Sequence, residues 1–398
     1  MTLRLFTPGH SLYTDTLILY GMAIPLCELF EDEVNSNPSF VRTRNLGHFF
    51  ELGIDLDDCS KVAETVSEFV SEYSDTLTTT LTSGPLGFFS DRDIRVFVQA
   101  LTDEGKLNEY LRSLSTPGHA ERSGEGRGGR GKTVKLPLMP IAGKYLHEDL
   151  TTATKYPPAQ YKACNYCSAL AALGLAEAAF PSVGRARREW SRVIVLMSFE
   201  GETDARYYAM LTNYRAGDWE EFYRKLQSVR AAGLRSTGAA AQLPLRTLMK
   251  LVVSAFSPGL VRAMAMTNAR WHALGVCFAG RPKAPQVRGF HDLEITALID
   301  GLSVLYERGG TLIKDLFPLL GLMIEGGEGH ALEALLDFIS GRSLEALYAF
   351  ARGAYSVVEW ERAQERGRAR PPGKGRWISA LNRAEDCREL ARKLLVAG

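Results

Sequence analysis

The sequence of 398 residues lacks the long apolar run of a membrane-spanning helix, since no stretch reaches roughly 18 consecutive apolar residues. The apolar part of the first ten residues is also too short for a secretory signal. We therefore expect a cytoplasmic protein without a membrane partner. Six cysteines are spread along the chain, and only Cys164 and Cys167 lie close together, which argues against a secreted disulfide framework.

The sequence also lacks the common catalytic motifs. It contains neither the G-x-S-x-G pattern of serine hydrolases nor the H-E-x-x-H pattern of zinc peptidases. The best acidic group is Glu200, Glu202 and Asp204, which follow a predicted strand. Such acids bind Mg²⁺ in some nucleases, but they also occur as ordinary loop and first-turn residues. We expect a protein without catalytic activity, and a metal-dependent nuclease or other nucleic-acid enzyme is the alternative.

The net charge is close to zero, but the charge is unevenly distributed. Residues 1–115 carry 8 Lys and Arg against 18 Asp and Glu, residues 116–290 carry 25 against 12, and residues 291–398 carry 14 against 16. A basic middle part favours one face for a polyanion and other faces for protein neighbours. The alternative is that the charges are scattered over all surfaces.

These differences divide the chain into three predicted parts. Residues 1–115 form an acidic, mixed α/β part. Residues 116–285 form a basic central part with a glycine-arginine hairpin loop, a helix at the cysteine pair and a strand over 191–199. Residues 286–398 form a C-terminal helical bundle. The predicted fold class is α+β, predominantly α-helical, with a small β-sheet and a basic hairpin.

Local patterns predict the individual elements. In the first part we expect a strand over 3–6, a helix capped by Ser11 and kinked or divided at Pro25, and helices over 60–77, after Ser90 and over 106–114. In the central part we expect helices over 218–232, 243–253 and 258–277 and a linker over 281–285. In the last part we expect helices over 291–307, 311–324, 328–340, 343–364 and 378–396.

The glycine-arginine loop, GHAERSGEGRGGRGKT, is the most unusual stretch. Its basic residues and their neighbours are candidates for contact with nucleic-acid phosphates: Arg122, Arg127, Arg130, Lys132, Lys135 and Lys144. Pro137 and Pro140 favour an extended chain, so we place a hairpin here with the loop at its tip. A disordered loop without a ligand is the alternative. Residues 126–133 match a nucleotide-binding loop in letters, but their context lacks the preceding strand and following helix, so ATP binding is not expected.

The C-x-x-C motif of Cys164 and Cys167 begins an alanine-rich helix and has three interpretations. A helix N-terminus lowers thiol pKa values, as in redox motifs. The pair is alternatively half of a zinc site, with His272, Cys277 or His147 as distant ligands. The third interpretation is purely structural, with two small buried residues or a local disulfide. We therefore expect either no cofactor or a structural zinc ion at this pair.

Aromatic and basic residues are interspersed between residues 205 and 225. Such mixtures stack on unpaired bases in proteins that bind single strands. The alternative, which we favour, is a helix that packs its aromatic side inward.

Two stretches resemble one known family. The segment YTDTLILYGMAIPL, which includes Tyr13, Asp15, Leu19, Tyr20 and Gly21, is similar to the start of the archaeal large-subunit family of type I-A CRISPR effector complexes (Cascade). The segment CNYCSALAALG at 164–174 resembles the helix of some members, in which small residues follow a cysteine. The chain length and the helical C-terminal part agree with that family.

This resemblance implies a non-catalytic subunit at one end of an RNA-guided surveillance complex that acts in antiviral defence. The subunit would recognise the short motif beside the target in duplex DNA and help to open it, while the guide RNA reads the sequence. The implied partners are the guide RNA complex with its backbone and small subunits, the target double-stranded DNA and a recruited helicase-nuclease. A structural interaction protein without nucleic-acid contact is a further alternative.

Overall fold

The computed structural model describes residues 2–83, 86–135, 137–140, 161–186, 189–216, 245–281, 284–309, 329–341 and 343–353. The chain forms two units. The first contains residues 1–181, 192–217 and 266–293, and the second contains residues 182–191, 218–265 and 294–398. The α+β, predominantly helical fold class is confirmed. The division into three parts by charge stays a prediction.

Several helices of the first unit begin where a side chain accepts a hydrogen bond from a free N–H group. Ser11 caps α1, Asp58 caps α3, and Ser90 forms a reciprocal capping box with Asp93 at α4. Pro25 does not divide α1, which continues past it. The helices are α1 (Leu12–Leu29), α2 (Glu31–Ser36), α3 (Cys59–Thr82), α4 (Asp91–Thr102), α5 (Glu104–Ser113), α6 (His119–Arg122), α7 (Asn165–Ala178) and α8 (Ala205–Ala216).

Eleven strands can be numbered in the described part of the chain: β1 (Leu3–Phe6), β2 (Val41–Asn45), β3 (Phe50–Ile54), β4 (Gly126–Arg127), β5 (Lys132–Thr133), β6 (Tyr161–Ala163), β7 (Phe180–Ala186), β8 (Glu189–Glu200), β9 (Glu202–Asp204), β10 (Arg270–Arg281) and β11 (Ala284–Glu294). Their sheets have the orders β1-β3-β2-β9, β11-β10-β8-β7 and β4-β6-β5. In the first sheet, Leu5 pairs with Leu52 and Leu52 pairs with Thr43, so the register gives this sheet one buried face.

At Gly21 and Gly174, the backbones of helices α1 and α7 are in direct contact. A Cβ atom added to Gly21 would overlap the carbonyl oxygen of Leu170, and one added to Gly174 would overlap that of Leu17. Nearly all of α1 and the alanine-rich part of α7 are buried. The two stretches that carry the family resemblance therefore form one contact, which requires glycine on both sides.

The tyrosines of α8 point into the core rather than toward a ligand. Tyr207 and Tyr208 are fully buried, with the hydroxyl of Tyr207 at 2.7 Å from that of Tyr20 and the hydroxyl of Tyr208 at 2.8 Å from Thr43 Oγ1. The packing interpretation thus holds for the described part of this segment. The other residues of the aromatic and basic group, Trp219, Tyr223 and Arg224, lie outside the described residues.

The helix predicted over 258–277 is wrong in its second half. Helix α10 (Pro258–Ala265) ends early, and the chain continues as strand β10. The buried ring of Trp271 packs on Phe199 and Tyr207, with ring centroids 5.7 and 4.6 Å away, and this packing outweighs the helix preference of the alanines. Strands β10 and β11 also extend into both ends of the predicted linker over 281–285.

Apart from residues 182–186 and 189–191, which belong to β7 and β8, and Glu294 at the end of β11, the described elements of the second unit are helices. Besides α10, its helices are α9 (Leu245–Ser254), α11 (Thr296–Gly309), α12 (Gly329–Gly341) and α13 (344–353). They agree with the predictions near 243–253, 291–307, 328–340 and 343–364, although α11 starts later because β11 occupies the preceding residues. The helices predicted over 218–232, 311–324, 378–396 and the end of 343–364 lie outside the described residues.

No single helix in the described part of the chain is long and apolar enough to cross a membrane. The pair α9 and α10 passes the same length and composition test only when both helices are taken together, and they are bent by 102° to each other.

Candidate metal centre and nucleic-acid interface

Four potential metal ligands converge at the N-terminus of α7. His119 and Glu125 come from α6 and the following loop, and Cys164 and Cys167 come from the start of α7. One ligand atom from each of these residues lies within 4.8 Å of all the others. The structure thus brings the predicted cysteine pair together with two residues that the sequence interpretation did not select.

The proposed distant ligands are elsewhere. His272 and Cys277 are in β10 and do not belong to the four-residue group, and His147 lies outside the described residues. The imidazole of His272 is instead 2.8 Å from Asp292 Oδ1 and 3.8 Å from Glu200 Oε1. His119 lies in the glycine-arginine loop itself, but no recognised spacing pattern connects it to the cysteines.

Local backbone structure fixes these side chains. Cys164 is the N-cap of α7, and its Sγ atom accepts a hydrogen bond from the N–H of Cys167 at 3.3 Å. Gly118 takes a left-handed conformation, with φ of 77°, and this conformation starts the short helix that carries His119. The guanidinium group of Arg122 donates to the carbonyl groups of Ser113, Thr116 and Pro117, which holds the loop in place.

Glu125 is a buried carboxylate without a hydrogen-bond donor of good geometry. Only 2% of its side chain is exposed, and both carboxylate oxygens lack a hydrogen-bond partner in the described residues. Its Oε1 atom lies 3.4 Å from His119 Nε2, and its Oε2 atom lies 3.3 Å from His10 Nε2. Burial alone would raise the pKa of Glu125, but His10 and His119 lower it to about 2. The carboxylate is therefore charged.

The imidazole of His119 is oriented by Ser113. The Ser113 hydroxyl donates to the carbonyl oxygen of Tyr110 at 2.6 Å, so its oxygen accepts from His119 Nδ1–H at 2.9 Å. The Nε2 atom then faces both Cys164 Sγ, at 4.0 Å, and Glu125. Burial alone would lower the pKa of His119, but the contacts with Cys164 and Glu125 raise it to about 9.

The two thiols differ in their surroundings. The hydrogen bonds with Cys167 and His119 lower the pKa of Cys164 to about 6, against the opposing effect of burial. Burial raises the pKa of Cys167, whose Sγ atom lies 3.2 Å from the hydroxyl oxygen of Tyr110. A cavity of 420 Å³ borders the cluster and is lined by His119, Glu125 and Cys164.

The glycine-arginine loop is folded beside this cluster. Strands β4 and β5, on either side of its turn, do not pair with each other, because β6 lies between them. The strands that flank the turn therefore do not form the predicted hairpin. Gly131 has φ of 104°, and a Cβ atom there would overlap the carbonyl oxygen of Ala163. The glycine is therefore required by the backbone and does not indicate a phosphate-binding loop.

The predicted nucleic-acid residues of this loop fall into two groups. Arg122 is bound to backbone carbonyl groups, and Lys135 Nζ lies 3.4 Å from Asp93 Oδ2. In contrast, three exposed residues have no acidic partner among the described residues: Arg127, Arg130 and Lys132. Lys144 lies outside the described residues.

The acidic group predicted as a nuclease alternative does not form one open site. Glu200 lies 2.9 Å from Arg270, Glu202 lies 3.2 Å from Arg44, and Asp204 lies 2.6 Å from Arg206. Each acid is paired with a different arginine, and the three acids do not come together as a group of metal ligands in the described residues.

A comparison with known protein families matches the part of the chain that contains most of these features. Residues 78–370, well over half of the chain, match the family described as CRISPR-associated protein (Cas_Csa4). The matched range contains the four-residue cluster and the whole glycine-arginine loop. No curated protein matches the chain. On the extent of the family match, the chain belongs to the Cas_Csa4 family of CRISPR-associated proteins.

Proposed function

We propose that the protein is the non-catalytic, nucleic-acid-binding large subunit of an RNA-guided type I-A surveillance complex. In this role it recognises the short motif beside the target in duplex DNA and helps to unwind the duplex. Its partners are the guide RNA with the backbone and small subunits, the target DNA and a recruited helicase-nuclease. Membership of a CRISPR-associated family supports an assignment within this class of complexes.

The observation that carries the DNA contact is the group of exposed cations on the folded loop. Arg127, Arg130 and Lys132 lie within six residues of one another and have no acidic partner among the described residues. A backbone fixed by glycine turns and by pairing with β6 holds these residues in defined positions. Cations presented in this way bind phosphates without losing much conformational freedom.

Duplex DNA binding at several salt concentrations tests this proposal. The full chain and its assembled RNA-guided complex are compared with a triple variant, Arg127→Ala, Arg130→Ala and Lys132→Ala. We expect the variant to bind less tightly and the slope of log K against log salt to fall by about two to three units, roughly one for each lost phosphate contact. Equal affinity and slope for the two proteins would remove the DNA contact from the loop.

The matched control removes the same number of positive charges elsewhere. Arg42, Lys61 and Arg92 are exposed on β2, α3 and α4, and their replacement by alanine lowers the net charge equally. If this control loses as much affinity as the loop variant, binding depends on overall charge rather than on the loop. The same samples, incubated with Mg²⁺ and DNA, test the enzyme alternative through cleavage products.

A further inference from the structure

The four residues at the N-terminus of α7 have a geometry that favours metal binding over acid-base catalysis. In a catalytic relay, the nucleophile and the carboxylate contact opposite nitrogens of the histidine. Here Cys164 and Glu125 both face Nε2 of His119, while Nδ1 is bound to Ser113. Convergence of these donor atoms on one nitrogen is the arrangement expected around a bound cation.

The buried carboxylate gives an independent reason. The side chain of Glu125 is 2% exposed, and neither of its oxygens has a hydrogen bond of good geometry in the described residues. A buried charged group without such partners is costly in free energy. A metal ion between Glu125, His119 and the two thiols would supply the partner that these oxygens lack.

Each of the four donors also has an outer partner, as metal ligands in proteins commonly do. Ser113 orients His119, and the Tyr110 hydroxyl lies 3.2 Å from Cys167 Sγ. The N–H of Cys167 donates to Cys164 Sγ. His10 Nε2 faces the second carboxylate oxygen of Glu125, and its other nitrogen lies 3.0 Å from the Tyr161 hydroxyl.

We propose that His119, Glu125, Cys164 and Cys167 bind one structural Zn²⁺ ion, with His10 as a positioning residue for Glu125. Two thiolates with an imidazole suit zinc better than the hard cations Mg²⁺ and Ca²⁺. Four protein ligands complete a tetrahedral site and leave no position for a substrate, so the site is structural. The adjoining cavity provides an entry path for the ion.

The consequence of the bound ion is mechanical. The ion would connect the loop after α6 to the first turn of α7. In the sequence, this loop directly precedes β4 and the first turn of α7 directly follows β6, so the ion would tie together the two ends of the β4-β6-β5 sheet segment. The exposed cations of the glycine-arginine loop follow Glu125 within a few residues. This inference does not depend on the proposed DNA contact, because the metal content can be measured without DNA.

The first experiment is the zinc content of the full-length, tag-free protein after purification and dialysis against metal-free buffer. We expect about one zinc ion per chain in the wild type, the number that a four-ligand structural site holds. Cys164→Ser should lose the ion but keep the helix start, because serine is also a good N-cap residue. Cys277→Ser is the matched control, since this half-buried cysteine lies outside the group, and it should keep the ion.

The second experiment measures zinc affinity by competition with a chromophoric chelator. Glu125→Gln and Cys167→Ser should weaken binding by more than about 100-fold, because they remove ligands. His10→Ala should weaken it by about 10–100-fold, the range seen for outer partners, and His10→Gln should restore part of the loss by supplying an N–H group near the position of Nε2. Circular dichroism of each variant checks that it is folded.

Several results would overturn the assignment. One is a folded wild-type protein that contains no zinc and does not bind added Zn²⁺. Another is a full zinc ion in the folded Cys164→Ser variant. A cobalt-substituted wild type without thiolate-to-cobalt charge-transfer absorption would also contradict it, because this signal requires cysteine ligands and is independent of the stability of any variant.

Discussion

The two ends of α7 are held in different ways. Its first turn belongs to a polar cluster in which Cys164, Cys167, His119 and Glu125 lie within 4.8 Å of one another. Further along, Gly174 lies against the backbone of α1, where no side chain fits. Helix α7 therefore combines two kinds of contact. The apolar end depends on shape, whereas the polar end depends on charge and hydrogen bonding.

The largest effect is expected at the apolar end. Gly174→Val places branched carbon atoms where the carbonyl oxygen of Leu17 lies, so α1 and α7 must separate. We expect a loss of about 3 kcal/mol in the free energy of unfolding, measured by urea denaturation. The matched control is Gly105→Ala in α5, where the nearest atom is an ordinary 3.9 Å away. This change should stabilise the protein by about 0.5–1 kcal/mol, and a similar loss in both variants would contradict the close contact.

The next effect is expected at the polar end. If the cluster binds zinc, a strong chelator should lower the Tm of the wild type by about 5 °C, because the free energy of metal binding contributes to folding. Scanning calorimetry with and without chelator measures this change. The Tm of Cys164→Ser should not respond to the chelator. A chelator effect of equal size in that variant would assign the metal to other residues.

The third effect tests Asp15, which is buried in the first turn of α1 and accepts a hydrogen bond from the N–H of Gly9. Burial raises the pKa of Asp15 to about 7, against the opposing effects of His10 and nearby N–H groups. The folded state therefore retains a proton that the unfolded state releases near pH 4, and stability falls as the pH rises from about 4 to about 7. Asp15→Asn should remove this loss.

The measurement for Asp15 is the free energy of unfolding at several pH values. We expect the difference between Asp15→Asn and the wild type to increase by about 1–2 kcal/mol, in favour of the variant, between pH 4 and pH 8. A difference that does not change with pH would mean that Asp15 is ionised in the folded protein throughout this range.

The smallest effect is expected for an exposed acid. Glu202 pairs with Arg44 at 3.2 Å, but their side chains are 64% and 59% exposed. Glu202→Gln should change the free energy of unfolding by less than about 0.5 kcal/mol, because surface ion pairs contribute little. A large loss would show that this exposed ion pair contributes strongly to the fold. Thermal denaturation of Glu202→Gln and Glu125→Gln side by side compares an exposed acid with a buried one.

Much of the fold was predictable, because many of its elements depend on residues that are close together in the sequence. The caps at Ser11 and Ser90 and the stripe of α3 depend on neighbouring residues, so the sequence indicates them directly. Strand β10 was missed because its conformation depends on Trp271 packing on residues far away in the chain. The close contact of Gly21 with α7 could not be predicted for the same reason.

The candidate site was half predictable. The cysteine pair at a helix start is a local signal, and it indicated a possible half of a zinc site. His119 and Glu125 were missed because strand β6 brings the start of α7 to their loop, and this pairing has no sequence signature. The need for glycine at position 131 was also not predictable, because it arises from the close contact with the backbone of Ala163.

The position of β6 between β4 and β5 has a consequence for the newly made chain. Strand β6 is synthesised about 30 residues after β5. At ordinary translation rates, β4 and β5 therefore remain without their common partner for roughly 2–6 s. During this interval the glycine-arginine segment has no strand to pair with, and Cys164 and Cys167 have not yet been made. The last strand to be synthesised thus closes this small sheet, and the cysteine pair follows within four residues.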